Sequence, residues 1–323
     1  MKPQVLKDKN PQPQRVEPPT RKTITAELDR VDSIIDKNFG RKLRGFLIGG
    51  KIGQGGRSTV YEAKHEKTNE KVAIKLYKVD DENEAKAMLA EAERIKKIDH
   101  PNIVSIKDAG VEKTNDAGEE RLEVFVVMEL LSGKDLGEFL GEEQVVPALG
   151  ALKIAFQVCE GLEELHKKGI IHRDLKPGNI FLQDEGVVKI IDFDISEVTL
   201  FEAEDELRYT KGQFRGTPEY MGPDAWGDDS DSRVDLYALG VVMYEMLCGM
   251  PPFEGNGLLV AKSHLEMPPL KPSEKNEDVS IPAEVEAIVM KALEKDPDKR
   301  FQSPAEMKAA LQLILGPKSP EMC

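Results

Sequence analysis

The residues best suited to chemistry stand together at 172–179: His172-Arg173-Asp174-Leu175-Lys176-Pro177-Gly178-Asn179. Behind them come Ile180-Phe181-Leu182, a turn at Asp184-Glu185-Gly186, and an apolar run from Val187 to Ile191 that Asp192 closes. An antiparallel hairpin would bring Asn179 and Asp192 to the same open end. A carboxamide oxygen beside a carboxylate suits a hard, oxygen-seeking cation, Mg²⁺ or Mn²⁺. Asp174, five residues before Asn179, adds a second carboxylate beside that ion.

Two further constellations bear on phosphate. In Gly53-Gln54-Gly55-Gly56-Arg57-Ser58-Thr59-Val60 the glycines let backbone N–H groups approach phosphate oxygens. Alone, such a stretch also fits an ordinary hairpin turn. It continues into the strand-like Thr59-Val60-Tyr61, whereas a dinucleotide-binding fold would continue into a helix. Lys75, in the apolar run Val72-Ala73-Ile74-Lys75, needs an anion, because a buried unpaired ammonium is costly. Glu91 lies three residues after Met88 and four before Ile95, on the core-facing stripe of a following helix, and Glu93 points further outward. A Lys75–Glu91 pair is either purely structural or orients the lysine toward a nucleotide's phosphates.

The elements that must position these groups read as follows. Residues 1–25 hold five prolines, six basic and two acidic residues and no aromatic, so a disordered tail is expected. Residues 26–39 carry Leu28, Val31, Ile34, Ile35 and Phe39 at helical spacing, with Thr25 as cap and Gly40 as terminator. Strands are expected around Phe46-Leu47-Ile48, 59–63 and 71–77, then a helix over 81–97, then strands over 103–108 and 122–129. The polar stretch 112–121 reads as a loop. From Ser132 on, helical patterns dominate, which gives an α+β protein of two unequal lobes.

Taken in order, these motifs resemble the signature set of the eukaryotic-type (Hanks-type) serine/threonine protein kinase family, over roughly residues 45–315. The resemblance implies a bilobal kinase fold. Its strand-rich small lobe would span 43–131 and its mainly helical large lobe 132–316, between an extension at 1–42 and a tail at 317–323. It implies transfer of the ATP γ-phosphoryl group to Ser/Thr hydroxyls of proteins. Asp174 is then the catalytic base, Lys176 steadies the transferred group, Lys75 contacts phosphates and pairs with Glu91, and Asn179 and Asp192 hold Mg²⁺ or Mn²⁺. Ile52, Gly53, Gly55, Ser58, Val60 and Ala73 fall in the nucleotide-binding set. Met128, Glu129 and Leu131 fall in the adenine-binding hinge, with Met128 as gatekeeper. Asp135 meets the ribose or merely caps a helix. Thr217, in Gly216-Thr217-Pro218-Glu219-Tyr220, together with Lys176 favours Ser/Thr over Tyr as acceptor. Asp235 resembles the buried acid that anchors the catalytic loop, and Asp224 with Arg300 the ion pair of the larger lobe.

The sequence departs from the family in two places. Asp194 stands in Asp192-Phe193-Asp194 where the family has glycine, which keeps a pseudokinase scaffold as the alternative reading. Met221-Gly222-Pro223-Asp224 has Gly for Ala and Asp for Glu. A small-molecule kinase is disfavoured by the peptide-docking segment 216–224. Arg173 before Asp174 implies control by a phosphate on the segment 192–224, which holds Ser196, Thr199, Tyr209 and Thr210, with Thr210 the preferred site. Glu202, Glu204, Asp205 and Glu206 make that segment acidic, as a solvated loop, a phosphate mimic or a repeller of acidic substrates. Gly178 lends no support to a preference for basic peptides.

Composition bounds the rest. With 40% hydrophobic and 32% charged residues, the chain of 323 residues has the balance of a soluble globular protein. A net charge of −14 disfavours nucleic acid as partner. No apolar run approaches the roughly 18–20 residues that span a bilayer. Cys159, Cys248 and Cys323 have neither disulfide-framework nor zinc spacing, so a reducing cytoplasm is expected.

Overall fold

Alternation with a period of two shapes the small lobe. In β4 (Lys71–Val79), Val72, Ile74 and Leu76 face one way and join Ile48, Tyr61, Phe125 and Val127 in a small core. Ala73, Lys75 and Tyr77 face the other way. The computed structural model describes residues 36–116, 119–192, 217–226 and 230–317. β4 lies within a six-stranded sheet completed by β1 (Lys42–Leu43), β2 (Phe46–Gln54), β3 (Ser58–His65), β5 (Ile106–Asp116) and β6 (Glu119–Glu129). The order is β1-β2-β3-β4-β6-β5 with all neighbours antiparallel. Helix α1 (Glu82–Ile95) starts where the Asp81 carboxylate accepts the N–H groups of Asn83 and Glu84. It buries Ala85, Met88, Glu91, Ala92 and Ile95, a stripe of helical period, against the sheet.

Three expectations need correction. The strand expected at 103–108 begins at Ile106, and Ile103 makes only an isolated parallel bridge to Ile190. The stretch 112–121, expected as a loop, is mostly strand, paired out to Asp116↔Glu119. Backbone pairing asks nothing apolar of the side chains, so a polar hairpin can run on past the core. Of the helix expected at 26–39, residues up to Ile35 lie outside the described residues, as does the tail expected at 1–25. Lys37–Gly40 form a turn, because the Asp36 carboxylate accepts the Asn38 N–H and competes with helical bonding.

The large lobe packs α2 (Leu136–Glu143), α3 (Ala148–Lys167), α4 (Arg233–Cys248), α5 (Gly257–Glu266), α6 (Pro272–Lys275), α7 (Ala283–Ala292) and α8 (Pro304–Leu315) around one core. α4 is apolar nearly all round and is the buried axis of the lobe. A small sheet of β7 (Gly133–Asp135), β8 (Ile180–Gln183) and β9 (Val188–Ile190) faces the small lobe. Cys159 in α3 and Cys248 in α4 are buried free thiols; burial raises both pKa values, that of Cys248 to about 12. No helix of the described residues is long and apolar enough to cross a membrane.

Arg300, 1% exposed, locks the lower part of this lobe. Its guanidinium forks onto the Asp224 carboxylate at 2.8 and 3.0 Å, donates to the carbonyls of Glu294 and Lys295, and lies over the Tyr237 ring. The two departures at 222 and 224 are coupled. A Cβ on Gly222 would stand 2.9 Å from Asp224 Oδ1 and 3.1 Å from the Tyr237 ring, so the alanine expected of the family has no room beside this carboxylate. Arg300→Met leaves Asp224 unpaired and is expected to cost about 3–5 kcal/mol in chemical denaturation. Gly222→Ala is expected to cost about 1–3 kcal/mol by crowding the same carboxylate. Because both act on one ion pair, the double variant should lose less than the sum; strict additivity would refute the coupling.

Candidate active site

Asp235, near the start of α4, has no exposed surface. Its Oδ2 accepts the His172 N–H at 2.9 Å and bonds His166 Nε2 at 2.7 Å, while Oδ1 accepts the Arg173 N–H at 2.8 Å. Burial alone would raise the pKa of this carboxyl, but the hydrogen bond and charge of His166, with the His172 contacts, hold it below the usual range. The loop so anchored is strained. Arg173 sits at φ +64°, a left-handed conformation that costs a non-glycine residue about 1 kcal/mol. Asp192, at the far end of the β8–β9 hairpin, sits at φ +57°.

That loop delivers Asp174 into a cluster of donors. Lys176 Nζ donates to Asp174 Oδ2 at 2.6 Å and to Thr217 Oγ1 at 2.9 Å, and the Thr217 hydroxyl lies 3.4 Å from Asp174 Oδ1. Asn179 Nδ2 donates to the Asp174 carbonyl at 2.7 Å and to its Oδ2 at 3.1 Å. With Nδ2 committed, Asn179 offers Oδ1 as an acceptor. The hairpin register puts Asn179 beside Asp192, since the Ile191 N–H donates to the Asn179 carbonyl at 2.9 Å. Two hard oxygen donors of this kind fit Mg²⁺, which keeps waters and takes phosphate oxygens for its remaining positions. Among the described residues no cluster of three or more His, Cys, Asp or Glu offers an all-protein metal cage.

Lys75 reaches this cluster from β4. Its Nζ lies 2.6 Å from Asp192 Oδ1 and 5.0 Å from the Tyr77 ring centre. Burial lowers the lysine's pKa, but Tyr77 and the Asp192 carboxylate outweigh it and leave it above the ordinary range. Glu91, expected as the partner of Lys75, pairs instead with Arg94 at 2.7 Å. Arg94 is one helical turn away and also donates to the Gly169 carbonyl of the large lobe, which draws the carboxylate along its own helix. Sheet register places Val60 directly across from Lys75, and Met128 across from Ala73, on one face. Gly53 pairs with Val60, the Gly55 N–H closes the glycine-rich turn onto the Ser58 carbonyl at 2.8 Å, and Ile52 is half-exposed beside it. Glu129 and Leu131 follow Met128 at the end of β6, and Leu131 packs against the main core. Asp135 caps α2 through the Glu138 N–H. Phe193, Asp194, Ser196, Thr199, the acidic run 202–206, Tyr209, Thr210 and Gly216 lie outside the described residues.

Sequence reading missed three links. Lys189, 9% exposed in β9, bonds Glu129 at 2.9 Å and joins the end of β6 to the large lobe; a lysine in an apolar strand was the same signal that marked Lys75. Arg57 in the glycine-rich turn forks onto Glu84 of α1 at 2.8 and 3.1 Å, a pairing that nothing in the sequence spacing announces. Beneath the 217–220 segment, Lys295 Nζ donates to the Tyr237 hydroxyl at 3.1 Å, Tyr237 donates to His264 Nδ1 at 2.8 Å, and His264 Nε2 donates to the Glu219 carbonyl at 2.9 Å. Burial, then the charge of Lys295, pushes the His264 pKa down to about 4, so it stays neutral in this relay.

Comparison with known proteins is consistent with this geometry. The model of the family described as protein kinase domain matches residues 46–312. A probable serine/threonine-protein kinase of Corynebacterium efficiens is 36% identical over 277 residues, covering 83% of this chain and 41% of that protein. A probable serine/threonine-protein kinase of Clostridium perfringens is 36% identical over 268 residues, 81% of this chain and 37% of that protein. Serine/threonine-protein kinase PknB of Mycobacterium leprae is 34% identical over 282 residues, 85% of this chain and 44% of that protein. The chain thus spans less than half the length of these curated relatives.

The relay carries a pH signature. Burial, then the charge of Arg300, pushes the Lys295 pKa down to about 8, from an ordinary 10.5. Between those values the unfolded chain holds a proton that the folded chain lacks, so stability rises with pH across that window. Below about 8 both states are protonated and the cost of the buried cation is fully felt. Lys295→Met is therefore expected to raise the denaturation midpoint at pH 7 and to flatten the rise between pH 8 and 10.5. An unchanged pH profile would remove Lys295 as its source.

Proposed function

The chain belongs to the protein kinase family, and we propose that it is an active serine/threonine protein kinase that transfers the γ-phosphoryl group of ATP to Ser/Thr hydroxyls of protein substrates. The observation that carries this reading is the Asp174 carboxylate, which Lys176, Asn179 and the Thr217 hydroxyl all meet. In this reading the acceptor hydroxyl donates to Asp174, which orients it and takes its proton as the new P–O bond forms. Lys176, already bridging Asp174 and Thr217, faces the transferring group and offsets its charge. Lys75 holds the phosphates, under backbone N–H groups of the turn that carries Gly53, Gly55 and Ser58. Ile52, Val60, Ala73 and Met128 sandwich the base, the backbone at Glu129 and Leu131 meets its polar edge, and Asp135 borders the ribose. Asn179 Oδ1 and Asp192 would hold Mg²⁺ or Mn²⁺, which supplies charge neutralisation at the phosphates.

The small lobe at 43–131, the large lobe at 132–316 and a cytoplasmic setting, in keeping with the free thiols, belong to the same reading. So does autophosphorylation at Thr210, six residues before Gly216, with Arg173 as the partner of the phosphate.

Transfer from γ-labelled ATP to a generic protein substrate tests the proposal. Asp174→Ala is expected to reduce the rate by about 10²–10⁴-fold. Equal transfer by both proteins would end the claim, and no transfer by either would favour a binding scaffold. Mass spectrometry after ATP incubation should find phosphate on residues 193–216; full activity with none there would remove Thr210 control.

A further inference from the structure

Lys189 makes a link that the proposed chemistry leaves unused. It stands in β9 between the buried Val188 and Ile190, three residues before Asp192, and is itself only 9% exposed. Its Nζ donates to Glu129 Oε1 at 2.9 Å and to the Ile103 carbonyl at 3.4 Å. A nearly buried ammonium in an apolar strand persists only where such acceptors meet it.

Ser105 grips Glu129 from the other side. The Ser105 N–H donates to the same Oε1 at 2.8 Å, and the Glu129 N–H donates to the Ser105 carbonyl at 3.0 Å. Ser105 in turn ends a segment laid along β9. The Ile190 N–H donates to the Asn102 carbonyl at 2.9 Å, the Val104 N–H to the Ile190 carbonyl at 3.0 Å, and Asn102 Nδ2 to the Val188 carbonyl at 2.8 Å. One carboxylate oxygen thus gathers a backbone donor and a cation, both fixed to β9. The last residue of β6 is set against the strand that leads to Asp192.

A tie that only held two lobes together would need no particular residue of β6. This one grips Glu129, whose backbone meets the polar edge of the base in the function proposed above. Adenine presents an amino donor where guanine presents a carbonyl acceptor, so a small backbone shift at that edge alters which purine is preferred. We propose that Lys189 is a positioning residue for purine selectivity: through the Glu129 carboxylate it sets the backbone that meets the base, without touching the nucleotide. This inference rests on the base-binding reading given above. The Glu129 side chain keeps 27% of its surface exposed. Water can therefore replace Lys189 there, and its loss moves the backbone locally without stranding a buried charge.

The test is titration calorimetry of Mg·ATP and Mg·GTP on the full chain, read as the ratio of the two Kd values. Wild type is expected to favour ATP, and Lys189→Met to lower that preference about fivefold. A general loss of stability weakens both nucleotides alike and leaves the ratio where it was. Lys189→Arg keeps the charge and is expected to hold the ratio within about twofold of wild type. A fall as large as that of Lys189→Met would put the effect down to packing and overturn the proposal. Glu129→Gln weakens the tie from its other end and should lower the preference too, so the test stands even where Lys189→Met does not fold. The double variant should lose less than the product of the two single effects; a full product would make the residues independent and overturn the proposal. A wild-type preference that survives unchanged in both single variants would overturn this proposal alone. Equal binding of the two purines by wild type would overturn the base-binding reading, and this proposal with it.

Discussion

A carboxylate without any exposed surface holds the loop at 172–179 in shape. Asp235 accepts two consecutive backbone N–H groups, from His172 and Arg173, and pairs with His166. A buried charge survives only when fully bonded, and here the bonds go to backbone whose conformation is otherwise unfavourable. The left-handed turn at Arg173 is held by that acid, and the turn aims Asp174, Lys176 and Asn179 at one another. Local strain is thereby exchanged for a fixed constellation, and rigidity comes from α4, the buried axis of the large lobe.

The two lobes meet through charge rather than apolar surface alone. Lys75 reaches Asp192, Lys189 reaches Glu129, and Arg94 reaches the Gly169 carbonyl. Each contact crosses from one sheet or helix system to the other. Glu91 is held by Arg94, three residues along α1. Arg57 ties the glycine-rich turn to the first turn of the same helix. α1 is thus fastened at both ends, by its start to the glycine-rich turn and by its end to the large lobe.

Much of this was legible in the residues. Lys75 in an apolar strand demanded an anion, and the β8–β9 hairpin brought Asn179 and Asp192 to one end as its symmetry required. The identity of the anion was not legible. Helical spacing put Glu91 on the buried stripe of α1, yet spacing does not say which cation takes it, and Arg94, three residues on, does. The polar hairpin over 112–121 escaped because hydrophobic alternation detects a strand only where one face is buried. Asp135 offered two roles, and the helix N-terminus behind it engages its carboxylate. The fit of Gly222 to Asp224 was invisible because the two departures looked independent until the Tyr237 ring closed the space between them.

The two internal cysteines have a use beyond packing. Cys159 and Cys248 are buried in α3 and α4 of the large lobe, and burial raises both thiol pKa values. An alkylating reagent can reach neither while α3 and α4 remain packed. The rate at which these sulfurs are modified is therefore a built-in clock for the opening of the helical lobe, read from the native chain without any added label.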